Sequence, residues 1–335
     1  MPDSSTFRRL GDGSFATVYV ANEGPIAFKA VHTVSESIQL EEEYTKLVLV
    51  YTAFSNDAFF KLPRPFAVYN PQTGTLRAEA PKVLTSASFS AHEPLTRTPS
   101  YAMDRVPPIP AHVADPIRVF YPAHAKARGT PPPTLCRLYF GKTLRKKPEA
   151  DLGSETVPET ETETQPGART APRFSFFSSS NFILDPERYR ALAAVCPESL
   201  PPIEDVTAGM GVMLARLHWR AGVDARDVEF VLGGGFDASR GPGPGTGTGN
   251  GTAEFYVIDF NQMRYWDKSA EQLPVLVSSF RINDPYYPRP NPGEHLYEIF
   301  KAAYIAECAA AGNENEMQLA GQFFSLLEAG PGVVA

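Results

Sequence analysis

Two short acidic stretches in the second half of the chain carry residue types that can do chemistry. The first, Val-Asp-Ala-Arg-Asp-Val-Glu, contains Asp224, Asp227 and Glu229, and the second, Ile-Asp-Phe-Asn, adds Asp259. Carboxylates that share a cleft repel one another unless a cation lies among them. A magnesium ion or a guanidinium, which pairs with carboxylates in bidentate fashion, would meet that need. The alternative is a solvated acidic loop, which the apolar runs beside both stretches disfavour.

A glycine-rich stretch near the start of the chain is the second candidate. Residues 11–18 read GDGSFATV, with glycines at Gly11 and Gly13 and Ala16 where a third glycine is common. The stretch lies between two predicted strands, so a hairpin is expected, and not the strand-to-helix turn of dinucleotide-binding folds. Glycines at such a turn let backbone amides approach phosphates or another ligand. The alternative is a tight hairpin with no ligand.

A lysine and a run of glutamates follow in the order that a phosphate site would need. Lys29 ends the segment Ala-Phe-Lys in the third predicted strand, and Glu41, Glu42 and Glu43 lie on the next predicted helix. One of these glutamates could form an ion pair with the lysine. A surface lysine and a solvated acidic run are the alternative, but the order of glycine loop, strand lysine and helix glutamate favours a shared site.

The order of these motifs resembles that of protein kinases. In kinases a catalytic Asp is followed five positions later by Asn, and an Asp-Phe-Gly motif follows. Asp224, Glu229 and Asp259 stand at those three positions. The resemblance implies an α+β, two-lobed protein-kinase-like fold, with a small β-rich lobe over residues 1–106 and a helical lobe over 107–335.

The departures from the kinase pattern are as informative as the match. Gly222 stands where kinases have the His of His-Arg-Asp, Glu229 replaces the metal-binding Asn, and Asn261 replaces the Gly after Asp-Phe. Phosphoryl transfer with ATP and magnesium is therefore one of three functions that the motifs allow. A repurposed cleft and an interaction module without catalysis are the other two, and the motifs alone do not choose between them.

Hydrophobic periodicity predicts the elements that must position these residues. We expect strands at 7–10, 17–21, 26–31 and 101–106, and a hairpin of strands 230–232 and 255–258. We expect helices at 35–54 with Ser35 as its cap, at 203–220 with Gly222 as its stop, and at about 269–281, 294–310 and 314–328.

Two segments of low complexity interrupt the pattern. Residues 148–172 are acidic and rich in Thr and Pro, and residues 240–252 are rich in Gly and Pro. Neither can bury enough apolar surface to offset its ordering entropy, so both are predicted to be disordered insertions without chemistry.

Composition limits the binding partners and the cellular compartment that we expect. The net charge of −7 disfavours indiscriminate nucleic-acid binding, although the basic strip Arg137, Lys142, Arg145, Lys146 and Lys147 could contact phosphates. The sequence has no long apolar run for a membrane span and no leader-like start. The three cysteines are far apart in the sequence and have no paired histidines, so neither a zinc finger nor disulfides are expected. Such cysteines favour a reducing, cytoplasmic environment.

Longer stretches of the sequence resemble a fungal family whose members are sometimes labelled zinc-finger proteins. The stretches that carry the resemblance are LGDGSFATVYVA, the AFK strand, YAMDRVPPIP, HWRAGVDARDVEFVLGG, VIDFNQM and FRINDPYYPRP. Some members of this family, or close relatives of it, are arginine-containing cyclodipeptide synthases. Such enzymes join arginine and a second amino acid, both delivered as aminoacyl-tRNAs, into a diketopiperazine in secondary metabolism.

The resemblance implies roles for the candidate residues. Asp224 or Glu229 would act as the base, with Asp227 beside them, and no metal or cofactor would be needed, with ATP and magnesium as the kinase alternative. Substrate would contact Asp259, Lys29, His218, Gly11 and Gly13, although a lone His is more often a packing residue. The basic strip would meet tRNA, and neither DNA nor a membrane is among the expected partners.

Overall fold

The computed structural model describes residues 7–54, 58–79, 84–144, 182–235, 251–283 and 285–330. Within them the protein is a mixed α+β structure, with an antiparallel sheet in the N-terminal region and helices in the C-terminal part. The strands are β1 Phe7–Asp12, β2 Ala16–Ala21, β3 Ile26–Val31, β4 Pro65–Asn70, β5 Thr75–Ala78, β6 Ser100–Asp104, β7 Cys136–Leu138, β8 Phe182–Leu184, β9 Glu229–Gly234 and β10 Ala253–Ile258. The α-helices are α1 Ser37–Phe54, α2 Ser86–Ser90, α3 Ala111–Ile117, α4 Ala123–Ala127, α5 Pro186–Val195, α6 Ile203–Ala215, α7 Leu273–Ile282, α8 His295–Ala310 and α9 Glu314–Glu328.

Six antiparallel strands form the first sheet, in the order β1-β2-β3-β6-β4-β5. The predicted hairpin of β1 and β2 is confirmed, with Gly11 opposite Val18. The predicted strands 26–31 and 101–106 are also present and pair with each other, so that Lys29 lies opposite Tyr101. Lys29 therefore belongs to an inner strand, with a neighbour on each side.

The helix that follows the first three strands packs against this sheet. Its predicted extent is nearly right, but the predicted cap Ser35 is wrong. A single 3₁₀ turn over Val34–Glu36 precedes α1, and Glu36 accepts hydrogen bonds from the backbone N–H and the hydroxyl of Thr33, each at 2.9 Å. The acidic partner three residues after Thr33 decides the cap.

The second sheet has four strands in the order β10-β9-β7-β8. The predicted hairpin is confirmed as β9 and β10, paired antiparallel from Glu229 opposite Ile258 to Gly234 opposite Ala253. Strands β7 and β8 are parallel to each other and were not predicted, because each is only three residues long. The hairpin carries Glu229 at its start and Asp259 just after its end, so the two acidic stretches are brought side by side.

Helix α6 leads into the first acidic stretch. It continues as a π-helical turn over Arg216–Arg220, and Gly222 then has φ +67°, which confirms the predicted stop. The three helices predicted near 269–281, 294–310 and 314–328 are present as α7, α8 and α9, and a 3₁₀ turn precedes α7. Helices α6 and α8 cross at Gly211, where a Cβ atom would lie 2.3 Å from the carbonyl oxygen of Phe300.

The two sheets are joined through the segment between α1 and β4. Lys61 donates its backbone N–H to Phe255 at 2.8 Å and accepts from Val257 at 3.0 Å, so it pairs with β10. Phe60 is fully buried against Phe230 and Phe255 next to this link. One large hydrophobic core includes residues from both parts of the chain. In the residues described, no helix is both long and apolar enough to cross a membrane.

Candidate functional site

A buried ion pair connects the first sheet to α1. The Nζ atom of Lys29 lies 2.7 Å from Oε1 of Glu43 and 3.0 Å from Oδ1 of Asp259. Lys29 and Glu43 are nearly or fully buried, whereas about a third of the Asp259 side chain is exposed. The prediction that Lys29 pairs with a glutamate of the next helix is therefore confirmed, and Lys29 also lies within hydrogen-bond distance of Asp259. Asp259 is the most exposed member of this triad.

The surroundings of Lys29 keep its ammonium group charged. Burial alone lowers the pKa of Lys29, but Glu43, Tyr101 and Asp259 outweigh burial and hold the pKa well above its ordinary value. The hydroxyl of Tyr101 donates to Glu43 at 3.1 Å, and the ring of Phe15 covers Nζ of Lys29 at 4.9 Å. Phe15 comes from the turn between β1 and β2, so the glycine-rich hairpin closes over this lysine.

The acidic loop after α6 has an unusual backbone. Ala225 and Asp227 have φ +52° and +62°, and Asp259 on the facing segment has φ +64°. Non-glycine residues rarely adopt this left-handed conformation, and where they do, the surrounding structure must hold them and function is often nearby. Asn283 of the segment after α7 provides this hold. Its amide donates to the carbonyl oxygen of Ala225 at 2.6 Å, and its side-chain oxygen accepts the N–H of Asp227.

Asp224 is a structural anchor of this loop. Its side chain is buried and accepts from the backbone N–H of Arg226 at 3.1 Å, from the N–H of Arg264 at 2.8 Å and from the hydroxyl of Ser279 at 2.8 Å. A carboxylate that is enclosed and hydrogen-bonded in this way cannot reach a substrate proton. The placement is at odds with the predicted role of Asp224 as a base.

Asp227 belongs to the same loop, and its side chain is half-buried. It accepts a hydrogen bond of 2.5 Å from the side chain of Gln262. Burial raises the pKa of Asp227, and the charge of Asp259 raises it further, while Arg226 and Arg137 oppose the shift. Asp227 and Asp259 are therefore close enough for their charges to repel each other, and a cation beside them would be favourable.

Glu229 completes the acidic group and has its own cationic partner. Its Oε1 atom lies 2.7 Å from a guanidinium nitrogen of Arg137, and its side chain is 15% exposed. Burial raises the pKa of Glu229 to about 7 against the opposing effect of Arg137, and Asp259 and Asp227 add to the rise. A carboxyl group with a pKa near neutrality can exchange a proton at physiological pH.

The side chain of His218 is fully buried and contacts the acidic loop at the backbone of Asp224. Its ring is fully buried among Trp266, Tyr304 and Phe323, and its Nδ1 is 2.8 Å from the hydroxyl of Tyr304. That hydroxyl accepts from the indole N–H of Trp219 at 2.8 Å. Burial lowers the pKa of His218 to about 3, which keeps the ring neutral. The predicted substrate contact of His218 is at odds with this position, which is that of a packing residue.

The remaining predicted residues fall into two groups. Gly11 belongs to β1, and Gly13 forms the turn of the hairpin by donating its N–H to the carbonyl of Ala16 at 2.8 Å. A ligand contact of either glycine stays a prediction. Of the basic strip, Arg137 pairs with Glu229 inside the site, and Lys142 is half-buried four residues after β7. Arg145, Lys146 and Lys147 lie outside the described residues.

Sequence reasoning missed the residues that support the acidic group. Gln262, Ser279 and Asn283 hold Asp227 and Asp224 in place, and Tyr286 hydrogen-bonds to Glu229. Asn283 and Tyr286 belong to the stretch FRINDPYYPRP, whose lack of simple periodicity is a signal of a role other than packing. No comparable signal marks Gln262 or Ser279.

Fold and site together define an α+β protein in which a group of partly buried acidic side chains lies next to the buried pair of Lys29 and Glu43. The profile of a family described as "Zinc finger protein" matches residues 255–316. This segment starts in β10, includes Asp259 and ends in the first turn of α9. No curated protein matches the chain.

The description of that family does not suit the chemistry of the matched segment. A structural zinc site needs four ligands, usually Cys and His. The segment contains one cysteine, Cys308, which is buried, and one histidine, His295. Across the described parts of the chain, no three His, Cys, Asp or Glu side chains are grouped so that they could hold a metal ion. The match is therefore a likeness of this segment to a family and does not indicate a zinc site.

Proposed function

We propose that the protein is an arginine-containing cyclodipeptide synthase, which joins arginine and a second amino acid from aminoacyl-tRNAs in the cytoplasm. The observation that carries the proposal is the group of half-buried carboxylates at the cleft, with Glu229 at a pKa of about 7. The proposal takes the two-part fold to be kinase-like, with Lys29, Glu43 and Asp259 retained and the metal-binding Asn replaced by Glu229.

The charge balance of the cleft supports a cationic substrate. Four carboxylates and three cationic side chains face one another there: Glu43, Asp227, Glu229 and Asp259, against Lys29, Arg137 and Arg226. When Glu229 is deprotonated one negative charge is left over, and a guanidinium would neutralise it. Glu43 already pairs with Lys29, and Glu229 already pairs with Arg137. The substrate guanidinium would therefore bind at Asp227 and at the exposed side of Asp259.

The reaction needs a base and no external energy source, since an aminoacyl ester is already activated. The α-amine of one aminoacyl group attacks the ester carbonyl of the other, and Glu229 accepts the proton from the amine. The C–O bond of the attacked ester breaks, and the tRNA of that ester leaves after its ribose oxygen takes up a proton. The free amine of the remaining dipeptidyl ester then attacks its own ester carbonyl and loses a proton. The second ester C–O bond breaks, the ribose oxygen of the second tRNA takes up a proton, and the diketopiperazine is closed.

Expression in a host that supplies charged tRNAs, followed by mass spectrometry for cyclo-Arg-Xaa, tests the proposal. Glu229→Gln keeps the size of the side chain and removes its charge, so it should abolish the product while the protein stays folded. Glu254→Gln is the matched control, because Glu254 pairs with Lys61 outside the cleft. Absence of any arginine-containing product from the wild type would refute the proposal.

A kinase that uses ATP and magnesium is the second candidate, favoured by the pairing of Lys29 with Glu43 at 2.7 Å. In that case Glu229→Asn would restore the usual metal ligand and preserve or raise ATP turnover, and Asp259→Asn would abolish magnesium-dependent nucleotide binding. Assaying both variants for ATP consumption and for dipeptide product separates the two functions. If a folded protein shows neither activity, an interaction module becomes the function to pursue.

A further inference from the structure

The acidic group of Asp227, Glu229 and Asp259 already contains one guanidinium, that of Arg137. A guanidinium nitrogen of Arg137 lies 2.7 Å from Oε1 of Glu229. The guanidinium of a bound arginine side chain would make the same kind of contact with a carboxylate. Both side chains keep some access to solvent, with 31% of Arg137 and 15% of Glu229 exposed, so the pair is within reach of a ligand.

The second sheet fixes the position of Arg137. Its strand β7 is an inner strand, with Arg137 opposite Ile183 of β8 and opposite Val231 of β9. Residues that lie opposite each other in a sheet point to the same face, and so do residues two apart on one strand. Arg137 and Glu229 therefore share a face as diagonal neighbours, a separation that long side chains can bridge. The register of the sheet thus determines this pair.

Two tyrosines hold the pair in place. Tyr139 hydrogen-bonds to the guanidinium of Arg137, and Tyr286 hydrogen-bonds to Glu229. The rings of the two tyrosines meet edge to face, with their centroids 4.8 Å apart. The guanidinium therefore cannot turn away from Glu229 without breaking more than one contact.

The guanidinium of Arg137 limits how many arginine side chains the site can take. With Glu229 deprotonated, three cationic side chains oppose four carboxylates, so one arginine brings the balance to zero. A second arginine would find no unpaired carboxylate and would leave an excess positive charge in a partly buried site, which is costly. An uncharged second side chain keeps the balance at zero.

We infer that Arg137 is a specificity-determining residue, which occupies Glu229, confines the substrate guanidinium to Asp227 and Asp259, and restricts the second amino acid to one with an uncharged side chain. The inference rests on the proposed function and names the class of its second substrate. It gives Arg137 a role other than the tRNA contact that was predicted for the basic strip.

Equilibrium dialysis of the full chain against radiolabelled L-argininamide at pH 8 counts the guanidinium sites. At this pH most of the wild-type Glu229, with its pKa of about 7, is deprotonated. The wild type should bind one equivalent. Arg137→Ala removes the competing guanidinium and should bind a second equivalent, with a Kd about 10-fold or more below that of any further binding to the wild type, because a charge-assisted pair is gained.

Two further variants locate the second equivalent. Arg137→Lys keeps a cation beside Glu229 and should bind one equivalent, as the wild type does. Arg137→Ala combined with Glu229→Gln has no carboxylate at this position and should also return to one equivalent. Thermal melting checks that the variants fold. If Arg137→Ala does not fold, Arg137→Gln replaces it with the same expected result, because it keeps the stem of the side chain and carries no charge.

The outcomes separate this inference from the proposed function. A single equivalent in Arg137→Ala overturns the inference, and so does a wild type that binds no argininamide or a second equivalent that persists in the double variant. A second equivalent that depends on Glu229 supports it even if no dipeptide forms, because binding does not require catalysis. If cyclo-Arg-Arg is a major product of the wild type, the inference is overturned while the proposed function stands.

Discussion

The pair of Lys29 and Glu43 shows what a buried ion pair demands of single residues. Both side chains are removed from water, and Glu43 also receives the hydroxyl of Tyr101. Burial raises the pKa of Glu43, with a further rise from Asp259, and Lys29 opposes both. Each charge is therefore tolerable only while the other is present.

Replacing Lys29 by Met should destabilise the protein by about 3–5 kcal/mol, because it leaves Glu43 buried without its partner. The measurement is urea unfolding at pH 7. Lys61→Met is the control, since Lys61 also pairs with a glutamate but is about half exposed, and it should cost less than about 1 kcal/mol. Equal losses in the two variants would contradict the energetic importance of the buried pair.

Glu229 predicts a pH dependence of stability whose sign follows from its raised pKa. The pKa is about 7 in the folded protein, against an ordinary value of 4.5. Between these values the folded state binds more protons than the unfolded state, so the free energy of unfolding falls as pH rises through this window. This group alone contributes a fall of roughly 3 kcal/mol between pH 4 and pH 8.

Urea unfolding of the wild type and of Glu229→Gln at several pH values isolates this contribution. The variant has no proton to lose at this position, so its free energy of unfolding lacks this fall with pH. As pH rises, the stability of the variant relative to the wild type should therefore increase. Glu254→Gln makes the same chemical change outside the cleft and should run parallel to the wild type. Parallel curves for Glu229→Gln as well would show that the pKa of Glu229 is not raised.

At the scale of elements, the crossing of α6 and α8 fixes the approach to the acidic loop. Gly211 brings the two helices into backbone contact, and the π-helical turn and Gly222 then redirect the chain toward Asp224. Residues that have no chemistry of their own therefore set the position of the loop.

Gly211→Ala should destabilise the protein by at least about 2 kcal/mol, because its Cβ would meet the backbone oxygen of Phe300 at 2.3 Å and backbone cannot move aside cheaply. Gly321→Ala in α9 is the control. A Cβ there meets nothing within 4 Å, so the change should stabilise the protein by up to about 1 kcal/mol through helix propensity. Thermal or urea unfolding of both variants decides; a tolerated Gly211→Ala would mean that the helices are further apart.

At the scale of the whole molecule, the strands that flank the predicted insertions are joined without them. Strands β9 and β10 stay in register to Gly234 and Ala253, and Gly235 donates to Thr252 at 2.9 Å. Strands β7 and β8 pair directly, with Cys136 opposite Phe182. Residues 145–181 and 236–250 lie outside the described residues, so the disorder predicted for 148–172 and for most of 240–252 stays a prediction.

Deleting residues 240–250 or residues 148–172 should leave the melting temperature within a few degrees of the wild type, since composition predicts no core contact for either segment and shorter loops cost less closure entropy. Differential scanning calorimetry measures this, and mass spectrometry for cyclo-Arg-Xaa shows whether the proposed activity persists. A deletion variant that no longer unfolds cooperatively would refute the prediction for that segment.

Much of the local structure could be predicted from the sequence, because it depends on neighbouring residues. The glycine hairpin, the strand of Lys29 and the hairpin between Glu229 and Asp259 follow from alternation and turn residues, and the structure has all three. Helix periodicity also located the main C-terminal helices. The contact between Lys29 and Asp259 was expected from the order of the motifs along the sequence.

Only the tertiary structure decided which of the acidic residues are free to act. Glu43 pairs with Lys29 because the phase of α1 buries it, while Glu41 and Glu42 stay exposed. Asp224 and Asp227 look alike in sequence, yet the backbone of Arg264 and the hydroxyl of Ser279 engage only Asp224. Arg137 meets Glu229 across 92 positions of sequence. Such contacts form between distant segments, and the local residue pattern does not encode which of several equivalent side chains the packing will bury.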